Sequence, residues 1–123
     1  MERRTRQRAA IWSVLERAAR PLGPHEVLEE ARDEVPNLGM ATVYRNIRAL
    51  VEEGRLRMVK LPGLPSRYEV AGKAHHHHFH CRCCDGVFEV ETCPGDFEAI
   101  TPLGFQLEKH EVTLYGLCEE CVD

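Results

Sequence analysis

Cysteine is absent from the first 80 residues of this 123-residue chain, and all six cysteines lie between residues 81 and 121. The N-terminus has no apolar signal region, and no apolar run is long enough to span a bilayer. We therefore expect a soluble cytoplasmic protein with no membrane partner. In such a compartment, cysteines mixed with histidines indicate metal binding rather than a disulfide framework.

The net charge of −4 is unevenly distributed along the chain. Residues 1–60 contain twelve Lys/Arg and nine Asp/Glu, whereas residues 61–123 contain four and eleven. The positively charged first half can therefore bind a polyanion, while the second half is rich in carboxylates that can bind metals. A three-charge excess is also compatible with ordinary surface variation, so charge alone does not decide the function.

Apolar residues at helical spacing predict three helices in the first 54 residues. The residues that bound these helices are Pro21, Pro24, Pro36 and Gly54. Two short strands, Leu56–Leu61 and Arg67–Val70, are expected on either side of the turn pair Pro62-Gly63. Three helices followed by a hairpin describe a winged helix-turn-helix, in which the third helix enters the major groove of DNA.

The pattern changes beyond residue 72. Alternating apolar and aromatic positions predict strands within residues 79–90 and 105–117, with a short helical segment near 96–101. Apart from the histidines before residue 81, the sequence has no repeat or low-complexity tract. We therefore expect an α+β chain with two small lobes joined near residues 70–74.

Two CxxC pairs form the most specific motif in the chain. Each pair places two thiols on a tight turn, and two such turns can close a tetrahedral thiolate shell around zinc. A closed shell leaves no position for a substrate, so we expect a structural Zn²⁺ that holds together a lobe with little core. Redox-active CxxC pairs are the alternative. The expected zinc ligands are Cys81, Cys84, Cys118 and Cys121. Cys83 and Cys93 are expected to be ordinary buried thiols, with redox sensitivity or metal ligation as the alternative.

Four consecutive histidines lead directly into the first CxxC pair. In an extended strand the side chains alternate between faces, so His76 and His78 point one way and His75 and His77 the other. A single run can therefore supply two separate metal sites. Imidazole with carboxylate suits zinc, iron(II), manganese or nickel, and a solvated polyhistidine strand is the alternative.

These motifs together resemble the ferric uptake regulator (Fur) superfamily, which includes metal sensors and peroxide sensors of the Fur, Zur and PerR types. The resemblance covers nearly the whole chain. The matching segments are Thr5-x-Gln7-Arg8, Ala41-Thr42-Val43-Tyr44-Arg45, the histidine run with Cys81-x-x-Cys84, and Gly116-x-Cys118-x-x-Cys121. The family fold implies a winged-helix DNA-binding domain over residues 1–72 and an α/β dimerisation and metal-binding domain over residues 73–123.

The resemblance also implies the function. It predicts a homodimeric, metal-dependent transcriptional repressor that binds a double-stranded DNA operator and controls metal-homeostasis or oxidative-stress genes. The chain would then be a regulator and not an enzyme. Two other classes are weighed against this one: a metal-dependent hydrolase, and a zinc-buffering or scaffold protein without a DNA role. The hydrolase lacks the HExxH pair that such enzymes commonly use.

Two further metal sites are implied by the same resemblance. The regulatory site, for Fe²⁺, Zn²⁺ or Mn²⁺, would use Glu69, His76, His78 and Glu89. It would also use His25, in place of the histidine that relatives carry where this chain has Pro21; the alternative is that His25 is an ordinary exposed histidine. The possible second site would use His75, His77, Glu98 and His110. The lack of cysteine near Glu69 disfavours a thiolate sensor, and Glu89 in place of aspartate disfavours a peroxide sensor.

The expected DNA contacts fall into two groups. Four arginines near the N-terminus form a basic arm that would bind phosphates or enter a minor groove: Arg3, Arg4, Arg6 and Arg8. Three residues of the third helix, Thr42, Tyr44 and Arg45, are expected to face the operator, with arginine reading guanine and tyrosine a thymine methyl. The alternatives are a solvated terminus for the arm and core packing for Tyr44.

Overall fold

The computed structural model describes residues 2–122 and divides the chain into two compact units, one running to Lys73 and the other beginning at Ala74. The elements follow in order as α1 (Glu2–Ala18), α2 (Pro24–Ala31), α3 (Met40–Glu52), β1 (Leu56–Val59), β2 (Arg67–Val70), β3 (His77–Cys81), β4 (Val87–Val90), a 3₁₀ helix (Phe97–Ile100) and β5 (Thr113–Gly116). The fold is therefore α+β, as the sequence predicts.

The first unit is three helices packed on a two-stranded wing. The helices bury the positions that recur at helical spacing, such as Val43, Ile47 and Leu50 of α3. Strand β1 pairs antiparallel with β2, and the segment before α2 adds a bridge, in which Leu22 and Tyr68 exchange backbone hydrogen bonds of 2.9 and 2.8 Å. The result is a winged helix-turn-helix with a continuous apolar core.

Two boundaries of the helices follow from local chemistry. Helix α2 begins with Pro24, and the Glu26 carboxylate accepts a 2.9 Å hydrogen bond from the Gly23 N–H, which satisfies a donor at the helix start. After α3, Gly54 has φ of +78°, a conformation that other residues adopt only with strain. The predicted role of Gly54 in ending the third helix is confirmed.

The second unit is a three-stranded sheet in the order β4-β3-β5. Strand β3 pairs antiparallel with β4 and parallel with β5. The strand predicted within residues 105–117 is shorter than expected, because β5 can pair only along the five residues of β3. The first wing strand likewise ends at Val59, two residues before the predicted end. No helix among residues 2–122 has the length and apolar character needed to cross a membrane.

The burial of residues in the first unit predicts which substitutions lower the free energy of unfolding. Ile47 is 2% exposed and Arg48, the next residue, is exposed. Ile47→Ala should lower the free energy of unfolding by about 2–5 kcal/mol, because it leaves a cavity between packed helices. Arg48→Ala, the matched control, should change it by less than about 0.5 kcal/mol. Denaturant unfolding of both variants measures the difference, and equal effects would contradict the assigned core.

Candidate metal centres and DNA-binding face

Four cysteines converge at one end of the three-stranded sheet. Cys81 closes β3, Cys84 lies in the turn before β4, and Cys118 and Cys121 follow β5. Their sulfur atoms all lie within 4.8 Å of one another. The Cys84 and Cys118 sulfurs are 3.9 Å apart, close to the roughly 3.8 Å edge of a tetrahedron with Zn–S bonds of about 2.3 Å. The donor set and its spacing therefore fit a tetrahedral metal ion.

Backbone hydrogen bonds to the Cys81 sulfur favour the thiolate form, which binds metal. The backbone N–H groups of Cys84 and Cys118 approach the buried Cys81 sulfur at 3.5 and 3.4 Å. These hydrogen bonds, the one from Cys84 first, lower the pKa of Cys81 to about 6. Hydrogen bonding to Cys118 instead raises the pKa of Cys121. The lowered pKa favours the thiolate form of Cys81, which is the form that binds a metal ion.

A second cluster lies at the opposite end of the same sheet and consists of His75, His77, Cys93 and His110. Cys93 sulfur lies 3.3 Å from His77 Nε2 and 3.4 Å from His110 Nε2, and the Nε2 atoms of His75 and His110 are 3.1 Å apart. The structure brings together three of the four residues predicted for the second site. Glu98 is exposed on the 3₁₀ helix and lies outside this cluster, and Cys93, expected to be an ordinary thiol, is the fourth member of the cluster.

His77 is the buried member of this second cluster, with 2% of its surface exposed. Burial lowers its pKa, and the neighbouring imidazoles of His75 and His110 lower it further, so the ring is neutral. Its Nδ1 accepts a 3.2 Å hydrogen bond from the Val112 N–H, which places the ring proton on Nε2. Phe97 stacks on His110 with ring centroids 4.1 Å apart and fixes that imidazole.

The opposite face of β3 carries the other two histidines of the run. His76 and His78 have ring centroids 4.9 Å apart. His76 Nδ1 lies 2.9 Å from the Ala74 carbonyl oxygen and donates to it, which puts the ring lone pair on Nε2, as in most metal-binding histidines. Glu89 of β4 is the register partner of His78, so both side chains are on one face of the sheet.

The remaining residues predicted for the regulatory site belong to the first unit. Glu69 of β2 is fully buried, and its carboxylate is paired with the guanidinium of Arg57 on the neighbouring strand. His25 is exposed at the start of α2 and belongs to none of the metal-binding groups among the described residues. His80, on the same face as His76 and His78, forms a 3.1 Å contact with Asp85 and so is a surface polar pair.

Helix α3 presents a polar face opposite to its buried face. Tyr44 is 48% exposed and Arg45 is exposed, so the alternative of core packing for Tyr44 is wrong. A guanidinium nitrogen of Arg45 donates to the Thr42 hydroxyl at 3.0 Å. The sequence analysis missed Arg48, which is also exposed. Its position four residues after Tyr44 and three after Arg45 is the helical spacing that could have identified it.

The basic residues near the N-terminus are helical. Arg3, Arg4, Arg6 and Arg8 lie in the first two turns of α1, so the predicted basic arm is the beginning of this helix. The cause is the run of residues with good helix propensity that continues from this segment into the apolar positions of α1. Arg8 forms an ion pair with Glu53, which lowers the pKa of that carboxyl group. The helix therefore offers its exposed positive charge at Arg3, Arg4 and Arg6.

Comparisons with known proteins agree with this architecture. The sequence profile of the ferric uptake regulator family matches residues 2–115. The transcriptional regulator FurA of Mycobacterium tuberculosis is 32% identical over 121 residues, which cover 95% of this chain and 81% of that protein. The solved structure of the Helicobacter pylori ferric uptake regulator is 28% identical, with a TM-score of 0.69 and coverage of 94% and 79%. A solved zinc-bound manganese uptake regulator is 26% identical, with a TM-score of 0.79 and coverage of 91% and 87%.

A winged-helix unit followed by a sheet with clustered thiols and imidazoles defines a metal-responsive transcriptional regulator. The chain belongs to the ferric uptake regulator family. The resemblance inferred from the motifs is thereby confirmed. Because the relatives are regulators, the chain is not an enzyme, and the alternative of a metal-dependent hydrolase is wrong.

The four-cysteine cluster yields a prediction about metal removal. Cys118→Ser should release the bound ion and unfold the second unit, because little apolar core remains to hold that unit together. Cys83→Ser is the matched control: Cys83 lies in the same turn as Cys84, is exposed and is outside the cluster. Metal content and circular dichroism measure the outcome. A folded Cys118→Ser chain with undiminished zinc would contradict a structural role.

Proposed function

We propose that the chain is a dimeric repressor that binds a double-stranded DNA operator when a regulatory divalent metal joins its two units. The observation that carries this proposal is the exposed polar face of α3, with Tyr44, Arg45 and Arg48 opposite a fully buried apolar face. In a winged helix-turn-helix the corresponding helix enters the major groove. A repressor of this kind works where the chromosome is, so we place it in the cytoplasm.

The side chains of α3 contact the edges of the DNA bases. The hydrogen bond to Thr42 restrains the Arg45 guanidinium, which lowers the entropy lost when arginine forms a bidentate pair with guanine. The Tyr44 ring suits a thymine methyl group. Arg3, Arg4 and Arg6 lie on the exposed surface of α1 and supply phosphate contacts. Arg8, already paired with Glu53, contributes less to these contacts.

The second unit supplies the dimer contacts. Five of its exposed large apolar side chains lie in or next to β5 and the 3₁₀ helix: Ile100, Leu103, Phe105, Leu114 and Tyr115. Leu103 is fully exposed, and an exposed set of this size is typical of a surface that another chain covers. A second copy of this chain is the occupant that a two-fold operator requires.

The regulatory site consists of His76, His78 and Glu89 in the second unit together with Glu69 from the first. Two observations support this set: the two imidazoles share a face of β3 with Glu89, and only five residues separate β2 from His76. Glu69 and His76 are seven residues apart in sequence, so their Cα atoms are at most roughly 25 Å apart, and the short connection permits both to bind one ion. His25, exposed at the start of α2, is the fifth candidate.

Regulation then follows from ligands drawn from both units. An ion shifts a conformational equilibrium only by its difference in affinity for the two states. An ion bound by both units stabilises the arrangement that brings them together, and the two α3 helices of the dimer then match successive major grooves. Nitrogen and oxygen donors suit Fe²⁺, Zn²⁺ or Mn²⁺, so the regulated genes are those of metal homeostasis or oxidative stress. The four-cysteine cluster holds the structural Zn²⁺.

The DNA-binding face is tested by two arginine variants with different expected effects. Arg45→Ala should weaken operator binding by about 1–3 kcal/mol and reduce the preference for operator over random DNA. Arg4→Ala should weaken binding to all sequences and reduce the salt slope by about one. Fluorescence anisotropy across a salt series measures both quantities. An equal loss for operator and random DNA in Arg45→Ala would exclude base reading by that residue.

The regulatory site is tested with two histidines from one face of β3. His78→Ala should keep its structural zinc and remain dimeric, but its operator affinity should no longer respond to added metal. His80→Ala is the matched control, because His80 contacts Asp85 and lies outside the metal-binding groups. Glu69→Gln should behave like His78→Ala, and His25→Ala should do so only if His25 is a ligand. A wild-type metal response of His78→Ala would refute the assignment.

A further inference from the structure

Three chain segments meet at the end of the sheet opposite to the four cysteines. Strand β3 begins at His77, and β4 ends at Val90, its register partner. Strand β5 begins beside the same end of β3, at Thr113. Because β4 runs antiparallel and β5 parallel to β3, the residues just after β4 and just before β5 come to one edge. Cys93 and His110 occupy these two positions, each three residues from its strand.

The spacing of the donor atoms fits one tetrahedral ion. With Zn–N bonds of about 2.0–2.1 Å and a Zn–S bond of about 2.3 Å, tetrahedral edges are roughly 3.3 Å between nitrogens and roughly 3.6 Å between nitrogen and sulfur. The corresponding distances here are 3.1 Å for the His75–His110 pair, and 3.3 and 3.4 Å for the two contacts of Cys93 sulfur. These three distances are close to tetrahedral edges, and all four donor atoms lie within 4.8 Å of one another.

We propose that His75, His77, Cys93 and His110 form a zinc site in which the Cys93 thiolate is the fourth ligand. A thiolate with three imidazoles favours a borderline ion such as Zn²⁺ and disfavours Mn²⁺, which prefers oxygen donors. Glu98, the carboxylate candidate, is exposed and outside the cluster, so it does not compete for the position. The site therefore differs in ion preference from the nitrogen and oxygen site on the other face of β3.

Binding at this site is coupled to the first residues of β5. His77 Nδ1 accepts a hydrogen bond from the Val112 N–H, so the ring proton lies on Nε2, facing Cys93. A metal ion bound at Nε2 would place the proton of the neutral ring on Nδ1, and the Val112 N–H would then have to leave the ring. The Val112 carbonyl also accepts from the His78 N–H at 3.3 Å, so the change acts on the β3–β5 pairing.

The test uses the full chain with zinc retained in the four-cysteine cluster and Co²⁺ as the probe. Wild-type protein should bind an added Co²⁺ with tetrahedral ligand-field absorption and a thiolate-to-cobalt charge-transfer band. Cys93→Ser should lose the charge-transfer band, whereas Cys83→Ser and Glu98→Gln should keep it. Zn²⁺ should displace this Co²⁺, and Mn²⁺ in large excess should not. The regulatory site contributes no such band, because it contains no sulfur.

Two further measurements keep the result unambiguous. Zinc content after the titration shows whether Co²⁺ has entered the four-cysteine cluster, and Cys93→Ser gives the size of that background. His75 is exposed, so His75→Ala should fold normally and weaken Co²⁺ binding by at least about tenfold. An undiminished charge-transfer band in Cys93→Ser, or its loss in Glu98→Gln, overturns the proposal. Wild-type protein that binds no Co²⁺ at a thiolate outside the four-cysteine cluster also overturns it.

Discussion

The register of β3 determines the chemistry of the second unit. This strand is paired on both sides, and its C-terminal end is fixed by backbone hydrogen bonds from Cys81 N–H to the Gly86 carbonyl and from Arg82 N–H to the Gly116 carbonyl. With that register, His75 and His77 face one metal cluster, His76 and His78 face the other side, and Cys81 closes the thiol cluster. A slip of one residue would exchange the two faces and disperse all three sets of ligands.

The clusters of potential metal ligands also bear on the stability of the second unit, which has a thin apolar core. Of the described residues in the second unit, only Cys81 and Val87 are buried apolar side chains, whereas the first unit has a continuous cluster across three helices and the wing. Strands of four or five residues with so little buried surface cannot offset the entropy of ordering the chain. Metal ions bound in the clusters at both ends of the sheet would cross-link β3, β4 and β5 where hydrophobic contacts are missing.

The features that sequence could predict are those set by local spacing. The two CxxC pairs, the alternation of the histidines and the apolar stripe of α3 all depend on short-range geometry. Cys93 could not be recognised in this way, because its place depends on where β4 ends and on the path of the chain back to β5. The pairing of Arg8 with Glu53 depends on tertiary packing. So does the length of β5, which is limited by its partner strand.

The scarcity of buried apolar residues in the second unit has a consequence for the abundance of the protein in a cell. A unit whose cohesion comes from bound ions gains stability in proportion to the logarithm of the free ion concentration. Under metal starvation the unfolded fraction rises, and unfolded chains are the substrates that quality-control proteases remove. Metal supply would therefore set the turnover of this regulator as well as its occupancy, so that a starved cell holds fewer copies and recovers repression only after new synthesis.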